Sequence, residues 1–338
     1  MSKNITIIGD GAMATVSALL LENKGYNVTI WGAFPADIAA MIEHRENVKY
    51  LPGHPLPESI KLVSDEKAAF ENTDIIINAV PTQYIRDVWS RLVDAVPQDA
   101  PIASLSKGVE TETLLRPTQI MMDVLSKAGK ENRPMACISG PSVADELAKC
   151  LPATVCAASE DAELANQLQE MFNTNWFRVY TNSDLLGVEL AGATKNVIAL
   201  AAGMLDGLKA GNNAKSALLS RGLAEITRLG LAMGANRETF FGIAGVGDLA
   251  TTCFSPTGRN RTCGEMLGSG QSLEDVLNAI TGIVEGVPTT KSVLELSKKY
   301  KVEMPITQTL HAVLFEGLDP HEGISQLMSR NPKPERIG

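Results

Sequence analysis

Two lysines, an aspartate and an arginine-asparagine pair are the residues whose types and settings could do chemistry. Lys195 lies in a long apolar stretch, 184–208, where helical spacing puts it on one face with Val188, Ala191, Gly192, Ile198, Ala199 and Ala202. An ammonium among small apolar residues is costly unless it has a partner or a task. Burial also lowers a lysine pKa toward the range useful for proton transfer. The other reading is a lysine that snorkels to solvent from a helix edge. Glu189 is a candidate structural partner, although its spacing is not that of a direct helical neighbour. Lys107, in Ser104-Leu105-Ser106-Lys107-Gly108, follows an apolar run. It either faces the crevice where parallel sheets bind ligands or is a solvated surface lysine. Asp248, in Ala244-Gly245-Val246-Gly247-Asp248-Leu249, either caps the next helix or orients a lysine. Gly258-Arg259-Asn260-Arg261 reads as a basic loop in an acidic protein, and arginine is the natural bidentate partner of phosphate. Glu285-Gly286-Val287 is a further candidate loop that a bare turn explains nearly as well.

A second set of residues suits a dinucleotide. Gly9-x-Gly11-x-x-Ala14 directly follows the run Asn-Ile-Thr-Ile-Ile at 4–8 and opens a helical stretch. The first glycine permits a tight turn, the second lets backbone approach a pyrophosphate, and the small third residue lets helix pack on strand. The next strand ends in Trp31-Gly32-Ala33-Phe34, with neither the acid that reads a ribose 2′-hydroxyl nor the arginine that suits a 2′-phosphate. The choice between NAD and NADP stays open there, with the missing acid pointing toward tolerance of NADPH. Val80-Pro81 and Ile138-Ser139-Gly140-Pro141-Ser142 close two further strands; a proline at a strand end is also ordinary punctuation.

These groups need a scaffold. Short apolar runs at 4–8, 26–31, 60–64, 74–80, 101–105, 134–139, 152–158 and 176–180 read as strands. Helical stretches at 12–23, 82–95, 113–128 and 161–172 separate most of them, and Gly25 stops the first. Continuous apolar strands alternating with helices imply an α/β fold with a doubly wound parallel sheet covered on both faces. After about residue 183 the strand pattern stops, and 184–208, 214–233, 238–246, 272–280, 289–299, 306–315 and 321–329 are helical in period. The expected organisation is a Rossmann-like dinucleotide-binding domain at 1–182, an all-helical substrate-binding and catalytic domain at 183–338, and a cleft between them.

The 338 residues suit two domains, and 44% hydrophobic with 20% charged residues is ordinary globular composition. A net charge of −9 argues against a nucleic-acid partner, since phosphate backbones demand a basic face. Cys137, Cys150, Cys156, Cys253 and Cys263 show no C-x-x-C spacing, so neither a metal site nor a disulfide framework is expected. The start carries too short an apolar run for a signal peptide, and no uninterrupted apolar stretch approaches a membrane span of roughly 20 residues. The expectation is a cytoplasmic protein.

Taken together the motifs resemble the NAD(P)-dependent glycerol-3-phosphate dehydrogenase family, its bacterial-type branch in particular, over nearly the full chain. The likeness is carried by the glycine motif, Arg45-Glu46-Asn47-Val48-Lys49-Tyr50-Leu51-Pro52-Gly53, Val80-Pro81-Thr82-Gln83 and Ser106-Lys107-Gly108-Val109-Glu110. Ser139-Gly140-Pro141-Ser142, Glu189-Leu190-Ala191-Gly192-Ala193-Thr194-Lys195-Asn196-Val197, Gly247-Asp248-Leu249 and Arg259-Asn260-Arg261 complete it. The resemblance implies a homodimer that reversibly reduces dihydroxyacetone phosphate to sn-glycerol 3-phosphate, the phospholipid backbone precursor, with NAD(P)H. It implies Lys195 as general acid/base, Lys107 as a polarising group that also approaches the nicotinamide, and Asp248 as the residue holding the lysines. Gly140, Ser142, Arg259 and Asn260 would join them in binding the phosphorylated substrate. Gly9, Gly11, Ala12, Met13, Ala14, Ala33, Pro81, Lys107, Ala144, Arg259 and Glu285 would contact the cofactor. The chain departs from the family pattern at Ala12, Met13 and Ala14, where a serine, an aromatic and a glycine are more frequent. It departs again at Gly258, where a serine often stands. Two rivals share the architecture: a β-hydroxyacid or 6-phosphogluconate-type dehydrogenase, and a non-catalytic dinucleotide-binding redox sensor.

Overall fold

The computed structural model describes residues 2–332, 334 and 335. Met1, Lys333 and residues 336–338, which belong to the expected amino-terminal and domain readings, lie outside the described residues. The chain divides into two compact units, one of residues 1–106 and 117–185, the other of 107–116 and 186–338.

The first unit is built on an eight-stranded sheet among the described residues: β1 Asn4–Ile8, β2 Asn27–Trp31, β3 Lys61–Val63, β4 Ile75–Asn78, β5 Ile102–Ser104, β6 Met135–Ser139, β7 Ala153–Ser159 and β8 Phe177–Asn182. Each falls within or beside one of the eight apolar runs. The sheet order is β3-β2-β1-β4-β5-β6-β7-β8. The chain thus builds outward from β1 to β3, then returns to place β4 on the other side of β1. That reversal is the switch point at which open α/β sheets bind ligands. Helices α1 Ala12–Asn23, α2 Pro35–His44, α3 Glu66–Ala69, α4 Ile85–Leu92, α5 Pro117–Ser126, α6 Ala144–Ala148 and α7 Ala162–Phe172 connect the strands. Strand residues such as Ile5, Ile7, Ile30, Ile75 and Ile77 are almost wholly buried, as a sheet covered on both faces requires.

Two strands, β7 and β8, run against the direction that an all-parallel sheet requires. β7 runs antiparallel to β6, and β8 parallel to β7. β6 and β7 are joined through residues 140–152, which carry only the five-residue α6 and not the full-length helix that usually makes a parallel crossover. The longer α7 can make a true crossover, and β8 accordingly pairs parallel with β7.

The second unit is helical: α8 Leu185–Gly207, α9 Gly211–Met233, α10 Arg237–Phe241, α11 Asp248–Phe254, α12 Arg259–Gly268, α13 Leu273–Ala279, α14 Gly286–Lys299, α15 Pro305–Phe315 and α16 Pro320–Met328. By length and composition α8 could cross a bilayer, but it is the core of this unit. Val188, Leu190, Ala193, Ala199, Leu200 and Ala202 on it are fully buried. α12 crosses α8 through glycines. A Cβ on Gly203 would fall 1.8 Å from the Arg261 carbonyl oxygen, and one on Gly264 would fall 2.0 Å from that of Leu200. Only backbone fits, and this contact fixes the start of α12 relative to Lys195. Residues 107–116 pack here too: Val109 is fully buried in the helical core and its carbonyl accepts from Ser292 Oγ at 2.9 Å.

Candidate active site

Lys195 sits in the middle of α8 and is buried at 7% exposure. Its ammonium donates to Asp248 Oδ1 and, at 2.7 Å, to Thr252 Oγ1. Asp248, 1% exposed, opens α11, and Thr252 lies one helical turn further along the same helix. Lys107 Nζ donates to the other carboxylate oxygen, Oδ2, at 2.7 Å. The array is therefore lysine–aspartate–lysine, with one positive charge in excess. Burial pulls Lys195 down to about 8, with the charge of Lys107 adding to the fall and Asp248 opposing it. Burial alone would push the Asp248 carboxyl up, but the two lysine charges outweigh it and hold it below its ordinary value. A buried aspartate without those partners would be strongly destabilising.

Of the two readings of Asp248, the geometry matches the one in which it orients a lysine. No side-chain cap is recorded at the start of α11. Glu189 is not the partner of Lys195: it pairs with Arg116, which closes the 107–116 segment onto α8. Asn196 Nδ2 donates to the Lys107 carbonyl at 3.2 Å, so the backbone beneath Lys107 is tied to the residue next to Lys195. Asn196 Oδ1 in turn accepts from Asn260 Nδ2 at 2.9 Å, and Asn260 Oδ1 accepts from the Gly286 amide at 2.9 Å. One hydrogen-bonded chain thereby links the lysine array to the Arg259-Asn260 pair and to the segment carrying Glu285.

The expected basic loop at 258–261 is the first turn of α12 instead. Its two arginines part company. Arg261 is spent within the fold, donating to Asp206 at 2.7 Å and pairing with Glu265 at 3.2 Å. Arg259 is exposed, with Nη1 only 2.8 Å from where a Cβ on Gly282 would stand. Sequence reasoning missed Thr252 and Asn196; both sit on helix faces beside charged residues, yet neither type nor spacing announces a role.

In the sheet unit, Gly9 has φ of +114°, which a side chain rarely adopts, and a Cβ there would stand 3.0 Å from the Ala79 carbonyl oxygen. A Cβ on Gly11 would meet nothing within 4 Å. Ala12, Met13 and Ala14 form the first turn of α1, whose amino end lacks a side-chain cap. Asn47 props this turn, its Nδ2 donating to the Asp10 carbonyl and to Thr15 Oγ1, both at 2.7 Å. Ala33 follows β2, Pro81 follows β4, and Gly140, Ser142 and Ala144 follow β6. Beneath β4 and β5, buried Asn78 accepts from Trp89 Nε1 at 2.9 Å and donates to Ser106 Oγ at 2.8 Å. Ser106 Oγ donates to the Val80 carbonyl at 2.6 Å. That network holds the Val80-Pro81 turn and the residue preceding Lys107. The open space at Gly11 and the uncapped amino end of α1, at the switch point, fit a dinucleotide pyrophosphate.

A switch-point sheet with a glycine turn, joined in one chain to a helical unit that buries a lysine array, defines the class of two-unit dinucleotide-dependent dehydrogenases. Residues 4–165 match the amino-terminal domain of NAD-dependent glycerol-3-phosphate dehydrogenases, and 184–325 match their carboxy-terminal domain. The chain is 48% identical to a glycerol-3-phosphate dehydrogenase [NAD(P)+] of Bacillus pumilus, covering 97% of this chain and 94% of that one. It is 46% identical to one from Geobacillus thermodenitrificans, covering 98% and 96%. The crystal structure of glycerol-3-phosphate dehydrogenase from Coxiella burnetii superimposes with a TM-score of 0.93 at 37% identity, covering 97% of this chain and 99% of that one. The chain belongs to the NAD-dependent glycerol-3-phosphate dehydrogenase family.

Proposed function

We propose that the chain reduces dihydroxyacetone phosphate to sn-glycerol 3-phosphate with NADH or NADPH, reversibly. The observation that carries this reading is the buried Lys195–Asp248–Lys107 array in a chain of this family. When bound, the dinucleotide supplies a hydride to the carbonyl carbon. Negative charge then develops on the carbonyl oxygen, and the excess positive charge of the array stabilises it in a low-dielectric setting. Lys195, pulled to about 8, is still mainly protonated at neutral pH and close enough to its transfer range to give the proton. In the oxidative direction the same nitrogen, deprotonated, takes the hydroxyl proton. Asp248 and Thr252 fix the direction of the Lys195 ammonium, and Lys107 adds the second cation.

In this reading Arg259 and Asn260, with Gly140 and Ser142, hold the phosphorylated substrate. Gly9, Gly11, Ala12, Met13, Ala14, Ala33, Pro81, Lys107, Ala144, Arg259 and Glu285 hold the cofactor. The sheet-bearing unit supplies most of the dinucleotide contacts and the helical unit the lysine array and Arg259-Asn260. The reading includes a homodimer working in the cytoplasm to supply the glycerophospholipid backbone, supported by the family likeness. The test is product identity. Incubation with dihydroxyacetone phosphate and reduced dinucleotide should yield glycerol 3-phosphate by mass spectrometry, with unphosphorylated dihydroxyacetone turned over at least about 100-fold less efficiently. Equal use of both ketones, or turnover only of a 2-oxo acid, would overturn it.

A further inference from the structure

We infer that Asp10, inside the glycine turn, reads the adenosine ribose and makes the chain favour NAD(H) over NADP(H). The inference rests on the dinucleotide reading above and reverses the NADPH tolerance that the bare end of β2 suggested. In switch-point sheets the 2′-hydroxyl is ordinarily read by an acid at the end of the second strand. Here that place is held by Gly32, which has no side chain to offer, and a side chain there would have to displace the tips of Ile38 and Asp10. A Cβ on Gly32 would lie 2.6 Å from Ile38 Cδ1 and 2.8 Å from Asp10 Oδ2. The carboxylate thus reaches the end of β2 from the neighbouring strand. β1 and β2 pair in register up to Ile8 and Trp31, so Asp10 and Gly32 both lie just beyond that last pair.

Asp10 Oδ2 is buried and has no hydrogen-bond partner among the described residues. Leaving a carboxylate oxygen dry and undonated is costly, and a ribose hydroxyl is a donor that would relieve it. A 2′-phosphate would instead bring up to two negative charges against the carboxylate. Burial raises the Asp10 carboxyl above its ordinary value; its own backbone amide opposes the rise, the charge of Asp37 adds to it and that of Lys49 opposes it. Those two side chains already pair with each other at 2.8 Å. One arginine does approach the end of β2. Arg91 donates to the Ala33 carbonyl at 3.1 Å and pairs with Glu66 at 2.6 Å, so its charge is already matched.

The test is fluorescence titration of the full chain with NADH and NADPH. The parent protein should bind NADH at least about tenfold more tightly, and Asp10→Asn should compress that ratio by about tenfold or more, weakening NADH and strengthening NADPH. Competition against bound NADH needs no variant: adenosine 5′-monophosphate should displace it at lower concentration than adenosine 2′,5′-bisphosphate. The inference is overturned if the parent holds the 2′-phosphorylated ligand as tightly as its counterpart. An unmoved ratio in an Asp10→Asn protein that melts like the parent overturns it as well. A parent protein that binds neither dinucleotide would remove the cofactor reading itself, and this inference with it.

Discussion

Lys195 owes its chemistry to a residue 53 positions away. Periodicity showed it on an apolar face, which is why a partner or a task was expected, but helical spacing reaches only three or four residues along the chain. Spacing could not choose Asp248 over Glu189, and only the family resemblance pointed to it, because the pairing depends on how α11 packs against α8. A pH prediction follows from the pair. Carbonyl reduction needs the ammonium form and alcohol oxidation the free amine. The kcat/KM for reduction should therefore fall as pH rises through about 8, while that for oxidation rises over the same range. Asp248 opposes the fall in the Lys195 pKa. Replacing it with Asn should move both limbs to lower pH, by about one unit or more, and cut turnover by about 100-fold. Limbs that stay in place with turnover lowered would assign Asp248 a structural part only.

At the scale of elements, all eight strands were legible as short apolar runs, which in the parallel part β1–β6 are buried on both faces. The direction of β7 was not, since it depends on the path of the 140–152 connection, whose short α6 leaves no periodic signal. α11 was missed because its seven residues are too few to show a period, and α12 because glycine and polar residues dominate it, Gly264 and Gly268 letting backbone meet α8. The placement of 107–116 with the helical unit likewise had no sequence marker, although Lys107 depends on it. One buried acid supports an element rather than the site. Glu225 on α9 accepts from the amides of Ile306 and Thr307 at 2.6 and 3.3 Å, satisfying the amino end of α15. Burial nevertheless pushes its carboxyl up to about 7. The folded state then holds a proton that the unfolded chain releases near its ordinary value. The stabilisation is complete below that value and is lost as pH rises toward 7. Stability by denaturant unfolding should fall at up to about 1.4 kcal/mol per pH unit between roughly pH 5 and 7 from this group. Glu225→Gln should flatten that slope; an unchanged slope would show that another group sets it.

For the whole molecule, net charge and composition argued against a general nucleic-acid binder and chose no substrate, whereas ordered motifs along nearly the full chain named the family that the comparisons show. The parts of Thr252 and Asn196 were not legible, because each makes contacts that only the packing within the helical unit creates. The central claim is that the buried lysine array reduces the carbonyl of dihydroxyacetone phosphate. The most direct measurement follows absorbance at 340 nm with that substrate and reduced dinucleotide, in the parent protein and in Lys195→Met. The parent should oxidise the dinucleotide only when the substrate is present. The variant should lose at least about 1,000-fold in turnover while binding the dinucleotide with unchanged affinity. No substrate-dependent oxidation in a parent protein that binds dinucleotide, or full turnover in the variant, would contradict the claim.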